Sequence, residues 1–312
     1  MAVMRFLRRH RAIVQIVFGL VAVAFLAWAV IDNWTDLIHA IGSMDPLSIA
    51  GAVLLAYAGT IANMLSWRSI VSSFGVHLPF AGAGRVTFTA QIGKYIPGGV
   101  WPMVAGSQLG GRVGLSGTTM VATMTLQLAI SLVTGTVIAC GSLIIVPGLA
   151  HEYWWVVLVI VVIAAVALVP RVMQRLLRVF FRLTRRSEEV PDLQGAHLGK
   201  AIAWAILAWV LFGLQLWLLL GALGSVEWTI LVPAICGYAL SWVVGFLAVF
   251  APAGAGVREG ILVLLFAATF TAPAVLGVAL VSRMAFILVD ITLFAWAAHG
   301  IRAMRSAERR AV

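Results

Sequence analysis

The chain has 312 residues, 62% of them hydrophobic and only 10% charged, with a mean hydropathy of +1.07. An average soluble domain carries roughly 25% charged residues, so a water-soluble globule of this size is excluded, and the absence of strand-like alternation argues against a β-barrel. The 21 Lys and Arg against 11 Asp and Glu leave a formal net charge of +10, whose meaning depends on where the charges sit. Charge-free apolar stretches of about 20 residues, the length that crosses a bilayer as a helix, recur along the chain. It reads as an all-α, polytopic integral membrane protein.

Arg5, Arg8, Arg9 and Arg11 precede the first apolar run, Ile13 to Ile31. Ala27-Trp28-Ala29 resembles a signal-peptidase site, but the run exceeds the roughly 7 to 15 residues of a signal core and is read as a retained first span. Further spans are expected at Leu47 to Trp67, Gly117 to Val146, Tyr153 to Val169, Ala201 to Leu223, Ile230 to Ala251 and Pro273 to Ala298, which makes seven. Between the second and third lies Phe80 to Arg112, broken at Pro97-Gly98-Gly99. Its arms, Phe80 to Ile96 and Val100 to Gly110, reach only roughly 25 Å and 16 Å against about 30 Å of hydrocarbon. A re-entrant hairpin is expected there. A second break, Pro252-Ala253-Gly254-Ala255-Gly256, precedes a helix Val257 to Thr271 of about 22 Å, so that break sits below the membrane surface.

Basic residues concentrate in three segments: the N-terminus, the Arg171 to Lys200 loop (Arg171, Arg175, Arg178, Arg182, Arg185, Arg186, Lys200) and the C-terminus (Arg302, Arg305, Arg309, Arg310). The opposite loops carry Asp32, Asp36, Asp45, Glu152 and Glu227 and no Lys or Arg. The Lys/Arg bias places the three basic segments, and both termini, in the cytoplasm, with the cell membrane as the expected location. Arg171, Arg175, Arg178 and Arg182 recur at helical spacing opposite Val172, Leu176, Val179, Phe180 and Leu183. Such a helix either lies on anionic headgroups at the cytoplasmic face or continues the preceding span while obeying the same bias.

Cys140 and Cys236 fall inside apolar runs and read as small core residues, and the six histidines have no ligand-like spacing, so no metal site is expected. Gly106, Gly110 and Gly114, like Gly256 and Gly260, repeat every four residues, the spacing of close helix packing. Trp34, Trp154, Trp155 and Trp228 fall at outer boundaries as an aromatic belt would. Arg68 reads as an interfacial anchor, and Arg85 and Arg112 bracket the hairpin as snorkelling residues.

The two breaks match in kind. Ile96-Pro97-Gly98-Gly99-Val100-Trp101 and Ala251-Pro252-Ala253-Gly254-Ala255-Gly256-Val257-Arg258 each run from Pro through closely spaced glycines to a Val that opens a helix, and the two Val are 157 residues apart. Each half, 1–150 and 151–312, reads as two spans, a broken pair of arms and a closing span. Five elements per half is odd, which inverts the second half relative to the first, as in inverted-repeat transporters. A helix that starts inside a membrane presents unsatisfied N–H groups and a positive dipole end to anions. Lys94 precedes one apex, Arg258 and Glu259 open the helix after the other, and Arg283 and Asp290 lie in the last span. Arg258 has a second reading, as a partner of Glu259. Arg283 and Asp290 are seven residues apart, about 10 Å along a helix, too far to pair directly. Charges at such depth are costly unless they face an interior or a wet cavity, and Arg offers a planar fork to phosphate oxygens.

Gly93-Lys94-Tyr95-Ile96-Pro97-Gly98-Gly99-Val100-Trp101 and Pro252-Ala253-Gly254-Ala255-Gly256-Val257-Arg258-Glu259-Gly260 resemble the two signature segments of the lysylphosphatidylglycerol synthase transmembrane region family. This is the flippase-like module of the multiple peptide resistance factor, and the resemblance covers nearly the whole chain in length and element order. It implies a module that moves an aminoacylated phospholipid between leaflets. The full-length factor also has a cytoplasmic aminoacyl-transferase domain, whereas this chain, ending at Val312, is expected to be a stand-alone member.

Together these features point to a translocase for a phospholipid or other lipid with an anionic phosphate headgroup, a transporter-type protein and not an enzyme. The expected substrate-binding residues are Lys94, Pro97, Gly98, Gly99, Trp101, Pro252, Gly254, Gly256, Arg258, Glu259, Arg283 and Asp290. No GxxxxGK[ST] loop occurs, so direct ATP coupling is not expected, nor is any cofactor or nucleic-acid partner. A secondary transporter of a small anion, a membrane transferase acting on a lipid-linked donor, and an assembly partner remain alternative readings.

Overall fold

The computed structural model describes residues 31, 34–95, 106, 110, 114–144, 149–183, 194–224, 228–248 and 254–311. Its helices are α1 (Trp34–Gly42), α2 (Pro46–Ser73), α3 (Phe80–Gln91), α4 (Gly117–Cys140), α5 (Leu149–Ala167), α6 (Pro170–Leu183), α7 (Gly195–Gly221), α8 (Leu231–Leu247), α9 (Val257–Phe266) and α10 (Ala272–Ala311). Short 3₁₀ turns, Ile92–Tyr95 and Gly141–Ile144, extend α3 and α4.

Helix starts follow local chemistry. Asp45 caps α2 by accepting the Ser48 N–H at 2.9 Å, with Pro46 in the first turn, and Ser116 caps α4 by accepting the Thr119 N–H at 3.0 Å. Each satisfies a donor that the helix itself leaves open. α2 runs six residues past the expected Trp67, because its polar end folds back on itself: Ser69, Ser72 and Ser73 donate to Leu65, Arg68 and Ile70 carbonyls. α9 stops at Phe266, short of the expected Thr271, where Thr269 and Phe270 turn their N–H groups onto the Phe266 carbonyl.

Five helical segments are long and apolar enough to cross a membrane: Pro46–Ser73, Gly117–Leu143, Gly195–Gly221, Trp228–Leu247 and Ala272–Gly300. The apolar part of α5, Trp154–Ala167, is shorter, about 21 Å, and the expected first span lies outside the described residues except for Ile31. The expectation of seven full spans is therefore met by five among the described residues.

α7 packs along α2, and both share the centre of the bundle with α4, α8 and α10. The close approaches occur at glycines: a Cβ on Gly59 would lie 2.4 Å from the Phe212 ring, and one on Gly213 would lie 2.4 Å from the Ile235 backbone. Packing follows a reciprocal pattern, in which α3 and α1 pack on α10 while α8 and α5 pack on α4. Buried polar groups meet partners across helices, as an apolar surrounding requires. Ser66 bonds Gln127 and the Ala201 carbonyl, Gln127 reaches Asn63, and the Trp67 and Trp209 indoles donate to Thr123 and Thr134.

α6 forms the helix read from its arginine spacing. Arg171, Arg175 and Arg178 are exposed, whereas Met173 is buried against a cluster from α2, α4 and α7. Cys140 and Cys236 are buried free thiols. Trp34, Trp154, Trp155 and Trp228 are all exposed. Arg68 donates through Nε to the Leu78 carbonyl at 2.7 Å, tying down the α2–α3 connection. Arg85 lies against Gly300 of α10, and Arg112 lies outside the described residues.

Candidate functional site

The second break is built by glycine. Gly254 and Gly256 have φ of +70° and +80°, a region that costs an L side chain energy and glycine little. The turn they make starts α9 at Val257, and Glu259, in its first turn, reaches back to accept the Gly256 N–H through Oε2 at 2.7 Å. The other carboxylate oxygen of Glu259 accepts Arg283 Nη1 at 2.5 Å. Glu259 is buried and Arg283 is partly exposed. Glu259 thus holds two structures at once, the start of α9 and the middle of α10.

Arg258 does not pair with Glu259. Adjacent residues on a helix point about 100° apart, and Arg258 turns toward α8. Its aliphatic stem lies across two glycines whose backbones are in contact: a Cβ on Gly245 would lie 2.5 Å from Arg258 Cγ, and one on Gly254 would lie 2.9 Å from Cδ. The guanidinium carbon rests 5.3 Å from the centre of the buried Tyr238 ring, within cation–π range. Tyr238 belongs to an aromatic cluster with Trp209, Phe212 and Phe286.

At the first break, Lys94 stands in the 3₁₀ turn that ends the described part of the hairpin. Its Nζ lies 2.6 Å from Asp290 Oδ2, with the Asp290 side chain only 2% exposed. Lys94 also feels the charges of Arg258 and Arg283, and Tyr238 those of Arg258 and Asp290. The two ion pairs and Arg258 therefore form one electrostatic cluster. α10 is its spine, since Arg283 and Asp290 sit two turns apart on it, one tied to α9 and the other to the end of the first hairpin arm. They do not pair with each other, as their spacing predicted.

Of the expected site residues, Lys94, Gly254, Gly256, Arg258, Glu259, Arg283 and Asp290 come together, while Pro97, Gly98, Gly99, Trp101 and Pro252 lie outside the described residues. The second arm of the expected hairpin is likewise described only at Gly106 and Gly110, and these two back onto Met120 and Met124 of α4. Among the described residues a Cβ on Gly260 would meet nothing within 4 Å, so the close packing expected there is not seen at Gly260, while the positive φ of Gly256 serves the turn. Tyr238 and Gly245 were not anticipated. Both lie on α8, seven residues apart and hence on one stripe facing the break, a spacing that points to the same neighbour. Gln215, fully buried on α7, accepts from Ser282 at 3.0 Å beside Arg283; its Nε2 has no hydrogen-bond partner among the described residues.

With this geometry in place, comparison with protein families is informative. The model of the lysylphosphatidylglycerol synthase TM region matches residues 13–293. The chain belongs to that family, and the family together with the apolar helices marks it as an integral membrane protein. No curated protein matches the chain.

Proposed function

We propose that this member of the lysylphosphatidylglycerol synthase TM region family is a translocase for a phospholipid, or another lipid with an anionic phosphate headgroup. Lys94, Arg258 and Arg283 hold the headgroup between the two Pro/Gly breaks while the acyl chains stay in the bilayer. The observation that carries this reading is the charge cluster: three cations from three separate elements converge at helix breaks inside an otherwise apolar bundle. Cations set among apolar spans in this way are expensive and mark substrate paths, and Arg forks suit phosphate oxygens. The family supports a lipid-related role for the module.

In this reading the two halves form an inverted repeat. The reciprocal packing supports it, because a two-fold relation that exchanges α2 with α7, α3 with α8 and α4 with α10 turns each contact observed among these six helices into another observed one. The protein resides in the cell membrane with both termini cytoplasmic, as the three basic segments indicate. It is a transporter and not an enzyme: the two deep carboxylates, Glu259 and Asp290, are both engaged in ion pairs.

The test is a proteoliposome assay with headgroup-labelled phospholipid. Wild-type protein should expose inner-leaflet lipid faster than empty vesicles, and Arg283→Ala should fall most of the way back. Equal rates for wild type, variant and empty vesicles would refute the assignment.

A further inference from the structure

The charges embedded in this chain form a closed set. Across the expected apolar spans and both broken segments, including those outside the described residues, the sequence holds Lys94, Arg258, Glu259, Arg283 and Asp290, together with Arg85 and Arg112 at the hairpin ends; the observed helices add Arg68 near the end of α2, bonded to the Leu78 carbonyl, and the exposed Lys200 near the start of α7. Arg85 lies against Gly300, ten residues along α10 from Asp290, roughly 15 Å away, and so stands apart from the site. Three cations face two carboxylates. Lys94 is bound to Asp290 and Arg283 to Glu259, and Arg258 is the one of the three with no carboxylate within ion-pair distance among the described residues. The described residues of the site therefore carry a net charge of +1, concentrated on a guanidinium held over Tyr238.

From this sum we infer that the site selects headgroups with a single net negative charge: a phosphodiester such as that of phosphatidylglycerol, against phosphomonoester dianions and against aminoacylated headgroups of net positive charge. The inference rests on the lipid-translocase reading above and adds the substrate class to it. Uncompensated charge is costly where water is scarce. A phosphodiester brings the set to zero and offers two non-ester oxygens to the planar fork of Arg258. A phosphomonoester dianion leaves the set at −1. A net-cationic headgroup raises it to +2 and meets two carboxylates that are already bonded. The family name suggests an aminoacylated lipid; the charges of this chain favour the unmodified one.

Purified protein in phosphatidylcholine vesicles, with traces of acyl-labelled phosphatidylglycerol, phosphatidic acid or lysylphosphatidylglycerol, tests the inference through dithionite accessibility. At pH 7.5 phosphatidylglycerol should cross at least about tenfold faster than either competitor, the discrimination expected when one uncompensated charge must be buried. Phosphatidic acid should speed up as pH is lowered and slow down as pH is raised, because a phosphomonoester sheds and gains its second charge in the range around neutral pH, while the phosphatidylglycerol rate holds. Glu259→Gln, which raises the sum to +2, should shift preference toward phosphatidic acid at pH 7.5, and Arg258→Gln should abolish the preference for phosphatidylglycerol. If a variant fails to fold, the pH comparison on the wild-type protein decides. Equal rates for the three lipids, or faster transfer of lysylphosphatidylglycerol, would overturn the inference and leave the translocase reading standing. No transfer of any lipid would overturn both.

Discussion

Replacing Gly245 by Ala tests whether a glycine slot positions Arg258. The added methyl would sit 2.5 Å from Arg258 Cγ and 3.1 Å from Cδ, whereas carbon contacts are comfortable at about 3.5–4.0 Å, so the stem must move by about 1 Å. The methyl itself cannot give way, because Gly254 lies beside it with its Cα 3.5 Å from the methyl position, so the stem must lift off both glycines. Overpacking of this kind costs roughly 1–3 kcal/mol, offset by the roughly 0.5–1 kcal/mol that Ala gains over Gly within a helix. The single variant should therefore be destabilised by about 0–2.5 kcal/mol. That modest net value makes a double-mutant cycle the sharper readout. In an Arg258→Ala background the stem is gone, only the helical gain remains, and Gly245→Ala should stabilise. The coupling energy, from unfolding in detergent micelles, should come to about 1–3 kcal/mol. Translocation by Gly245→Ala should fall with the displaced guanidinium, while in the Arg258→Ala background the second substitution should change nothing further. A coupling below about 0.5 kcal/mol, the level at which independent sites simply add, would refute the slot.

Glu259→Ala should cost about 3–5 kcal/mol by stranding Arg283, toward the lower end because the Arg283 side chain is 24% exposed; Glu259→Gln should recover part of this by again accepting the Gly256 N–H, as measured by thermal unfolding. Gly213→Ala should destabilise by roughly 1–3 kcal/mol, since its methyl meets the Ile235 backbone and α7 and α8 must part. Gly59→Ala should cost less in the same assay, because its obstacle is the Phe212 ring, which can rotate. The N–H and hydroxyl of Ser48 hold the Asp45 carboxyl below its ordinary value of 3.8. A depressed folded-state value means that the capping stabilisation is present above pH 3.8 and fades as pH falls below it, so the difference in melting temperature between wild type and Asp45→Ala should shrink in that range.

The spans were legible because apolar length is a local property of the chain. Their ends were less so, since they depend on where polar groups find partners: Ser69, Ser72 and Ser73 carry α2 beyond its apolar run by bonding their own helix. In the site, every deep charge stood out in sequence, because any charge there must be explained. The pairing did not, apart from the exclusion of Arg283 with Asp290. Which carboxylate meets which cation depends on helix rotation, and the rotation of α9 gives Glu259 to Arg283 and sends Arg258 to α8. Tyr238 and Gly245 were missed for the same reason, as an apolar span offers many aromatics and glycines and only the fold selects those that face the break.

The proposed two-fold relation also locates the origin of asymmetry in the site. In that relation α4 is the counterpart of α10, and both helices pack on α2 and α7. Yet α10 places Arg283 and Asp290 at the break, whereas the buried polar positions of α4 are Thr123 and Thr134, with Gln127 bonded to Ser66 and Asn63. Four of the five deep charges come from the second half and one, Lys94, from the first. A symmetric scaffold can exchange two conformations while a single, one-sided charge cluster keeps hold of the headgroup. Moving the Arg and Asp pair onto α4, at Leu126 and Val133, which precede Arg283 and Asp290 by the same 157 residues that separate the two breaks, should therefore fail to restore transfer in an Arg283→Ala, Asp290→Ala background. Restored lipid transfer in proteoliposomes would show instead that the two halves are interchangeable and that the one-sided cluster is incidental.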